Sequence, residues 1–296
     1  MAQNEEFELL ESVEPAVATL IAEHKERRKH WYFHEYIPWE RGENFRDKPW
    51  EESQCTLNPR ARTSLVLNLL TEDNLPAYHN VLQKYLPSES VWNEWNGLWT
   101  AEEGQHAIAI RSYLLTSRNC DPVELEDDRM AVMSTAWEPS GTKPTELFAY
   151  TATQELATRV SHRNAGKITD DESAFDLMRQ IASDENHHFV FYKGVMSAML
   201  DEHPSTALQG IYNVFSNFEM PGVTIPGFLR RSIEVARAGV YNLRVHHDRV
   251  LLPLIEQWKL TELKDLTPKA AELQEMILQL PETILRKAER FEARFA

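Results

Sequence analysis

The residues best suited to chemistry fall in two short stretches. Trp99-Thr-Ala-Glu-Glu-Gly-Gln-His106 carries Glu103 and His106, three apart. Ile181-Ala-Ser-Asp-Glu-Asn-His-His188 carries Glu185 and His188 at the same spacing. On a helix, that spacing sets two side chains next to each other on one face. Apolar residues recur at three and four around both pairs. Trp92, Trp95, Trp99, Ile110 and Tyr113 flank the first; Phe175, Met178, Ile181, Phe189, Tyr192, Val195 and Met199 flank the second. The carboxylates and imidazoles therefore lie on the stripes that face a core, where a carboxylate is expensive unless it is paired or holds a metal. One Glu-x-x-His arises often by chance and is then structural. Two copies on apolar stripes are a much stronger signal.

A dinuclear carboxylate site in a four-helix bundle needs one further carboxylate from each of two other helices. Glu72, in Thr71-Glu-Asp-Asn-Leu-Pro76, and Glu155, in Thr153-Gln-Glu-Leu-Ala-Thr158, are the candidates upstream of each pair. Glu155 follows Glu72 by 83 residues, Glu185 follows Glu103 by 82, and His188 follows His106 by 82. The set repeats almost in register, as two helical hairpins related by a pseudo-two-fold would. The plainer reading of Glu72 and Glu155 is that they are two ordinary members of a population of 46 acidic residues.

The elements needed to position these groups are legible as long 3.6-period segments. Helices are expected over 8–33, 59–86, 89–118, 122–137, 144–164 and 170–201, then over 204–219, 225–238, 247–258 and 268–293. Pro76 falls inside the second and predicts a kink at Glu72, because proline lacks the N–H for the carbonyl four residues back. Ser88 is a candidate cap for the third helix. Residues 31–55 are aromatic and irregular, and 138–141 read as a loop. Only 10 glycines in 296 residues, and no Gly/Ser-rich linker, favour an all-α fold in a single domain over 1–296. Its core would span about 59–201, with a C-terminal extension over about 204–296.

The balance of 31 basic against 46 acidic residues gives a net charge of −15, which argues against a nucleic-acid partner. Cys55 and Cys120 form no metal or redox motif, so the default is a reducing cytoplasm. The acidic N-terminal stretch carries no targeting signature, and no run of about 18 apolar residues predicts a membrane span. Basic residues cluster at Lys25, Arg27, Arg28 and Lys29, and again at Arg230 and Arg231. Each cluster is either a solvated face or a docking patch for an acidic partner. His246 and His247 lack partner ligands at helical spacing and read as surface.

With the ligand set placed, the chain resembles the soluble acyl-[acyl-carrier-protein] desaturases in their bacterial branch. The resemblance is carried by Leu70-Thr-Glu-Asp-Asn-Leu-Pro-Ala-Tyr78, Trp99-Thr-Ala-Glu-Glu-Gly-Gln-His106, Gln154-Glu-Leu-Ala-Thr-Arg-Val-Ser-His162 and Ser183-Asp-Glu-Asn-His-His188. It covers roughly residues 15–260. It implies a ferritin-like bundle, usually a homodimer, that binds two Fe(2+) per chain. Such an enzyme inserts a double bond into an acyl chain on acyl carrier protein, using O2 and two electrons from ferredoxin. It further implies that Glu103 and Glu185 bridge the irons, and that Glu72 and Glu155 are terminal ligands beside His106 and His188. Thr158 matches a threonine beside the oxygen site. Asp184 matches an outer group that leads to a ligand histidine, with Trp39 as its partner. The chemistry agrees with the parts: an unactivated CH2 has no acidic proton, and a metal–oxygen centre with carboxylate-rich ligation suits its oxidation.

One departure is Gly104-Gln105, where the family commonly has Asn-Arg. Gly104 costs about 1 kcal/mol of helix propensity relative to Ala, and the missing Arg removes a candidate ion pair near the site. Three other readings compete. A ribonucleotide reductase small subunit would place a radical tyrosine four residues after the first ligand histidine, where this chain has Ile110. Iron-storage bundles are typically much shorter. A paralogue that binds metal as an oxidase or binding protein, without desaturating anything, is opposed by the complete ligand set.

Overall fold

The computed structural model describes residues 2–135 and 143–295, which form helices and no strand. α1 (Ala2–Arg27) leads into an irregular stretch with three short 3-10 turns. Then come α2 (Pro59–Glu72), α3 (Leu75–Tyr85), α4 (Val91–Thr116), α5 (Pro122–Met133), α6 (Pro144–Lys167) and α7 (Glu172–Glu202). α8 (Pro204–Asn217), α9 (Phe228–Arg237), α10 (Leu243–His246), α11 (Leu252–Gln257) and α12 (Pro268–Phe295) complete the chain. Local chemistry sets several starts. Asn58, Asp121 and Asp171 each accept a backbone N–H of the first turn that follows, and a proline opens α2, α5, α6 and α8.

α2, α4, α6 and α7 form the four-helix core of a ferritin-like fold. α6 runs along α7, α2 packs on α4 and α6, and α4 also packs on α7. α1 lies across α4 and α7, and α8 packs against α6, α7 and α12. Gly210 permits the close approach of α8 to α6, since a Cβ there would stand 2.9 Å from the Thr145 carbonyl carbon. Two apolar layers fill the bundle. One joins Trp92, Trp95, Phe148, Phe191 and Tyr192 to Leu9, Val13 and Val17 of α1. The other contains Leu65, Leu69, Ile110, Tyr113, Leu177 and Ile181. Glu103 and His106 lie on α4 between Trp99 of the first layer and Ile110 of the second. No helix among the described residues is long and apolar enough to cross a membrane.

Several expectations are corrected. The first helix starts earlier and stops at Arg27. The predicted 59–86 helix is two helices, broken at Asp73-Asn74, so Pro76 sits in the opening turn of α3 instead of kinking a continuous rod. A proline in a first turn loses no hydrogen bond, so the chain restarts there. Ser88 caps nothing; Ser90 is the residue before α4, and its hydroxyl bonds back to the Pro87 carbonyl. The predicted 138–141 loop lies outside the described residues. Phe175 is half-exposed, at the end of its stripe. His246 and His247 are buried, not surface. His246 stacks on Phe218 and bonds to the Tyr241 hydroxyl, contacts that no local spacing announces. Burial, helped by the charge of His247, pushes its pKa down to about 4.

Candidate metal centre

The helices bring all six sequence-named ligand candidates to one place. Glu72 closes α2, Glu103 and His106 lie mid-α4, Glu155 lies mid-α6, and Glu185 and His188 lie mid-α7. All six are buried, Glu155 completely. Their donor atoms fall into two sets, each with all members within 4.8 Å of one another. One is Glu72, Glu103, His106 and Glu185; the other is Glu103, Glu155, Glu185 and His188. The sets share Glu103 and Glu185, as two neighbouring cations with two bridging carboxylates require.

Both imidazoles point the same ring nitrogen inward. His106 Nδ1 lies 3.1 Å from Glu103 and 3.4 Å from Glu185. His188 Nδ1 lies 2.7 Å from Glu103 and 3.6 Å from Glu155. Both Nε2 atoms point outward at carboxylates. His106 Nε2 is 3.4 Å from Asp184 Oδ2, and His188 Nε2 is 2.9 Å from Glu102 Oε2. An outer carboxylate fixes the proton on Nε2 and leaves the Nδ1 lone pair for a cation. The same reasoning disposes of a third set, His24, Glu102 and His188, as a cation site. It would need the nitrogen of His188 that already carries the proton.

The donor set fits two divalent cations. Glu103 Oε1, Glu155 Oε2, Glu185 Oε1 and His188 Nδ1 are buried and make no aligned hydrogen bond. Orphaned polar atoms are rare in an interior, and here they converge on one another. Two divalent cations would also neutralise the charge of the four carboxylates. Without them the crowding appears as displaced pKa values. Burial, then the charges of Glu185 and Glu103, holds the Glu155 carboxyl well above its ordinary range.

Neighbouring groups hold the ligands in place. Thr158 Oγ donates to Glu185 Oε2 at 2.8 Å and lies 3.1 Å from the Gln154 and Glu155 carbonyls, so its one proton has three acceptors in reach. Asp184 accepts from Trp31 Nε1 at 2.6 Å and from Arg28 Nη2 at 3.0 Å. Against the effect of burial, the His106 hydrogen bond and nearby positive charges hold it well below the carboxylate range. Glu102 is held down to about 2, again against burial, by His188 and His24. Trp99 Nε1 donates to Glu155 Oε1 at 3.0 Å. His162 Nε2 lies 2.9 Å from Glu72 Oε1 and 3.3 Å from Glu185 Oε1. Its tautomer is set at the other nitrogen, where the Asn68 carboxamide donates to Nδ1.

Two expectations about the surroundings change. Trp39 is 52% exposed and donates to the His34 carbonyl; Trp31 is the indole on Asp184. Arg28 and Arg231 do not belong to surface patches. Arg28 pairs with Glu102 and Asp184, and Arg231 with Asp128. Sequence reasoning passed over Glu102, His24, Arg28, Trp31, Trp99 and His162 as participants. One signal was present, because the 82-residue offset that pairs Glu103 with Glu185 also pairs Glu102 with Asp184.

Comparison with known proteins places the chain in a family. The profile described as fatty acid desaturase matches residues 5–296, and the chain belongs to that family. It is 37% identical to DesA1 of Mycobacterium tuberculosis, named as a candidate acyl-[acyl-carrier-protein] desaturase, over 97% of this chain and 88% of that one. It is 27% identical to stearoyl-[acyl-carrier-protein] 9-desaturase 5 of Arabidopsis thaliana, a chloroplastic protein, over 98% of this chain and 78% of the relative. The crystal structure of DesA2 from Mycobacterium tuberculosis superposes with a TM-score of 0.72 at 27% identity, covering 90% of this chain and 98% of that one.

Proposed function

We propose that this chain is an acyl-[acyl-carrier-protein] desaturase. It places a cis double bond in a carrier-bound fatty acyl chain, with O2 and two electrons from a ferredoxin-type donor. The observation that carries the reading is the pair of buried donor sets sharing Glu103 and Glu185, in a chain similar along nearly its whole length to proteins of that name. Two Fe(2+) would sit there, Glu72 and His106 on one, Glu155 and His188 on the other, with the shared carboxylates between. Bound iron supplies the O2 chemistry that an unactivated CH2 demands.

The protein's own groups do the rest. Asp184 and Glu102 aim the two imidazoles. Thr158 steadies Glu185 and offers a proton beside the centre. A small cleft lined mostly by apolar side chains, among them Tyr78, Leu82, Leu147 and Tyr150, includes the Trp99 indole that bonds Glu155. Arg27, Lys29 and Arg230 remain exposed and are the cationic candidates for an acidic carrier. The packing of α8 against α6, α7 and α12 supports one helical domain from end to end. Free Cys55 and Cys120 suit a reducing cytoplasm. A homodimer is part of the same reading.

The test is direct. Iron-loaded, reduced protein with O2, a ferredoxin system and saturated acyl carrier protein should release a mono-unsaturated chain, read by mass spectrometry. Oxygen consumption with no new double bond would overturn desaturation and leave an oxidase.

A further inference from the structure

One side chain touches both halves of the centre without belonging to either. Arg28 lies just past the end of α1, its N–H bonded to the His24 carbonyl at 2.9 Å and its side chain only 10% exposed. Its Nη2 donates to Asp184 Oδ2 at 3.0 Å, and its Nε stands 3.1 Å from Glu102 Oε2. Asp184 receives the outer nitrogen of His106, and Glu102 receives that of His188. A continuous chain therefore runs from His106 through Asp184, Arg28 and Glu102 to His188.

We propose that Arg28 is a positioning residue that ties the two histidine arms together, so that loosening it weakens both cation positions at once. The proposal rests on the two-cation reading of the centre. The physical argument is charge and shape. Glu102 and Asp184 are both buried, and a buried carboxylate stripped of its cation partner is strongly destabilised. The guanidinium donates a hydrogen bond to Asp184 from one nitrogen and sets another against Glu102 as a charge pair; its planar fork spans two carboxylates, whereas a lysine ammonium is a point charge on a flexible stem. The other donors near the outer carboxylates do not span them. His24 reaches Glu102 alone, and Trp31 reaches Asp184 alone. Gln105, on α4 near His106, supplies no charge; its carboxamide, oriented by its partners, donates to the Trp31 carbonyl at 3.0 Å. Arg28 also anchors the end of α1 to α4 and α7, so the helix outside the four-helix core bears on the ligands inside it.

The experiment uses Co(II) as the probe in full-length metal-free protein. Stepwise affinities come from chelator competition, and the ligand-histidine N–H protons are followed as paramagnetically shifted NMR lines. Wild type should bind two Co(II) and show two such lines. Arg28→Gln should weaken both steps by ~10- to 100-fold, the range seen when a partner of a ligand is removed, and move both lines. Arg28→Lys keeps a buried positive charge, and so the fold. It should still weaken both steps and move both lines, each by less than the Gln change, because one mobile ammonium shared between two carboxylates holds neither in a fixed direction. Arg286→Gln, exposed on α12 and paired with Glu282, should match wild type. If Arg28→Gln fails to fold, the Lys variant decides alone. Wild-type affinity at either step with its line unmoved in Arg28→Lys would overturn the coupling. So would a folded Arg28→Gln protein in which only one step or line responds. A wild-type chain that binds no Co(II) would overturn the two-cation reading and the coupling with it.

Discussion

The two halves of the centre offer the same ligands and hold them by different means. Glu155 sits in the middle of a 24-residue helix and accepts an indole N–H from Trp99. Glu72 is the last residue of its helix and accepts from the imidazole of His162. His162 follows Glu155 by seven residues and reaches across to Glu72, the ligand of the other half. Its counterpart His79 follows Glu72 by seven. The break at Asp73-Asn74 sets His79 on a separate helix, where it bonds Thr100 Oγ at 2.7 Å. Thr158, three after Glu155, likewise has Leu75 as its counterpart, three after Glu72. A near-exact repeat of ligands thus coexists with an unequal set of supports. Imidazole is a titratable donor and indole is not. The two cation positions should be chemically distinct.

The largest effects test what the halves share. Glu103→Ala and Glu185→Ala should each drop bound iron from two per chain toward none, by elemental analysis, and turnover below detection. Glu72→Ala and Glu155→Ala should each leave about one iron. Equal losses in all four variants would break the division into shared and private ligands.

Next come the unequal supports. His162→Phe should weaken one cation by ~10- to 100-fold and Trp99→Phe the other, each leaving its neighbour nearly unchanged in chelator competition. If both variants weaken the same cation, the assignment of supports to halves is wrong. A smaller effect attends Thr158→Ala, which removes one hydroxyl. Iron content should hold while turnover falls several-fold, or O2 is consumed without matching product. Loss of iron instead would make Thr158 a structural support of Glu185 and nothing more.

The smallest effect concerns Gly104, one residue past Glu103. Its counterpart in the second half is Asn186, so only the first half places glycine beside a shared ligand. A Cβ at Gly104 would meet nothing nearer than Leu75 Cδ2 at 3.8 Å, an ordinary contact. Gly104→Ala should therefore raise stability by about 1 kcal/mol through helix propensity, read as a higher Tm with iron content unchanged. A fall in Tm would mean that the close packing of α3 on α4 needs the glycine.

Local spacing carries part of this design, and the rest depends on contacts between distant residues. The candidate ligands are legible because each pair is local, three residues apart on one helix, and because duplication repeats the pattern at a fixed offset. Helix identity is legible for the same reason. The supports are not, since they join residues far apart in the chain. Arg28 meets Asp184 across 156 residues, and His162 meets Glu72 across 90. No periodicity connects such pairs, so Arg28 read as surface charge and Trp39 took the place of Trp31. His246 read as surface for the same reason, because Phe218 and Tyr241 bury it from outside its own helix. Glu102 is the exception, visible through its offset from Asp184.

The central claim is that two cations lie between the halves, bridged by Glu103 and Glu185. Anomalous diffraction at the iron edge from crystals of the iron-loaded protein tests it most directly. The account predicts two peaks about 3.5–4 Å apart, one against His106 Nδ1 and Glu72, the other against His188 Nδ1 and Glu155, with Glu103 and Glu185 touching both. A single peak, or one placed among His24, Glu102 and His188, would contradict it.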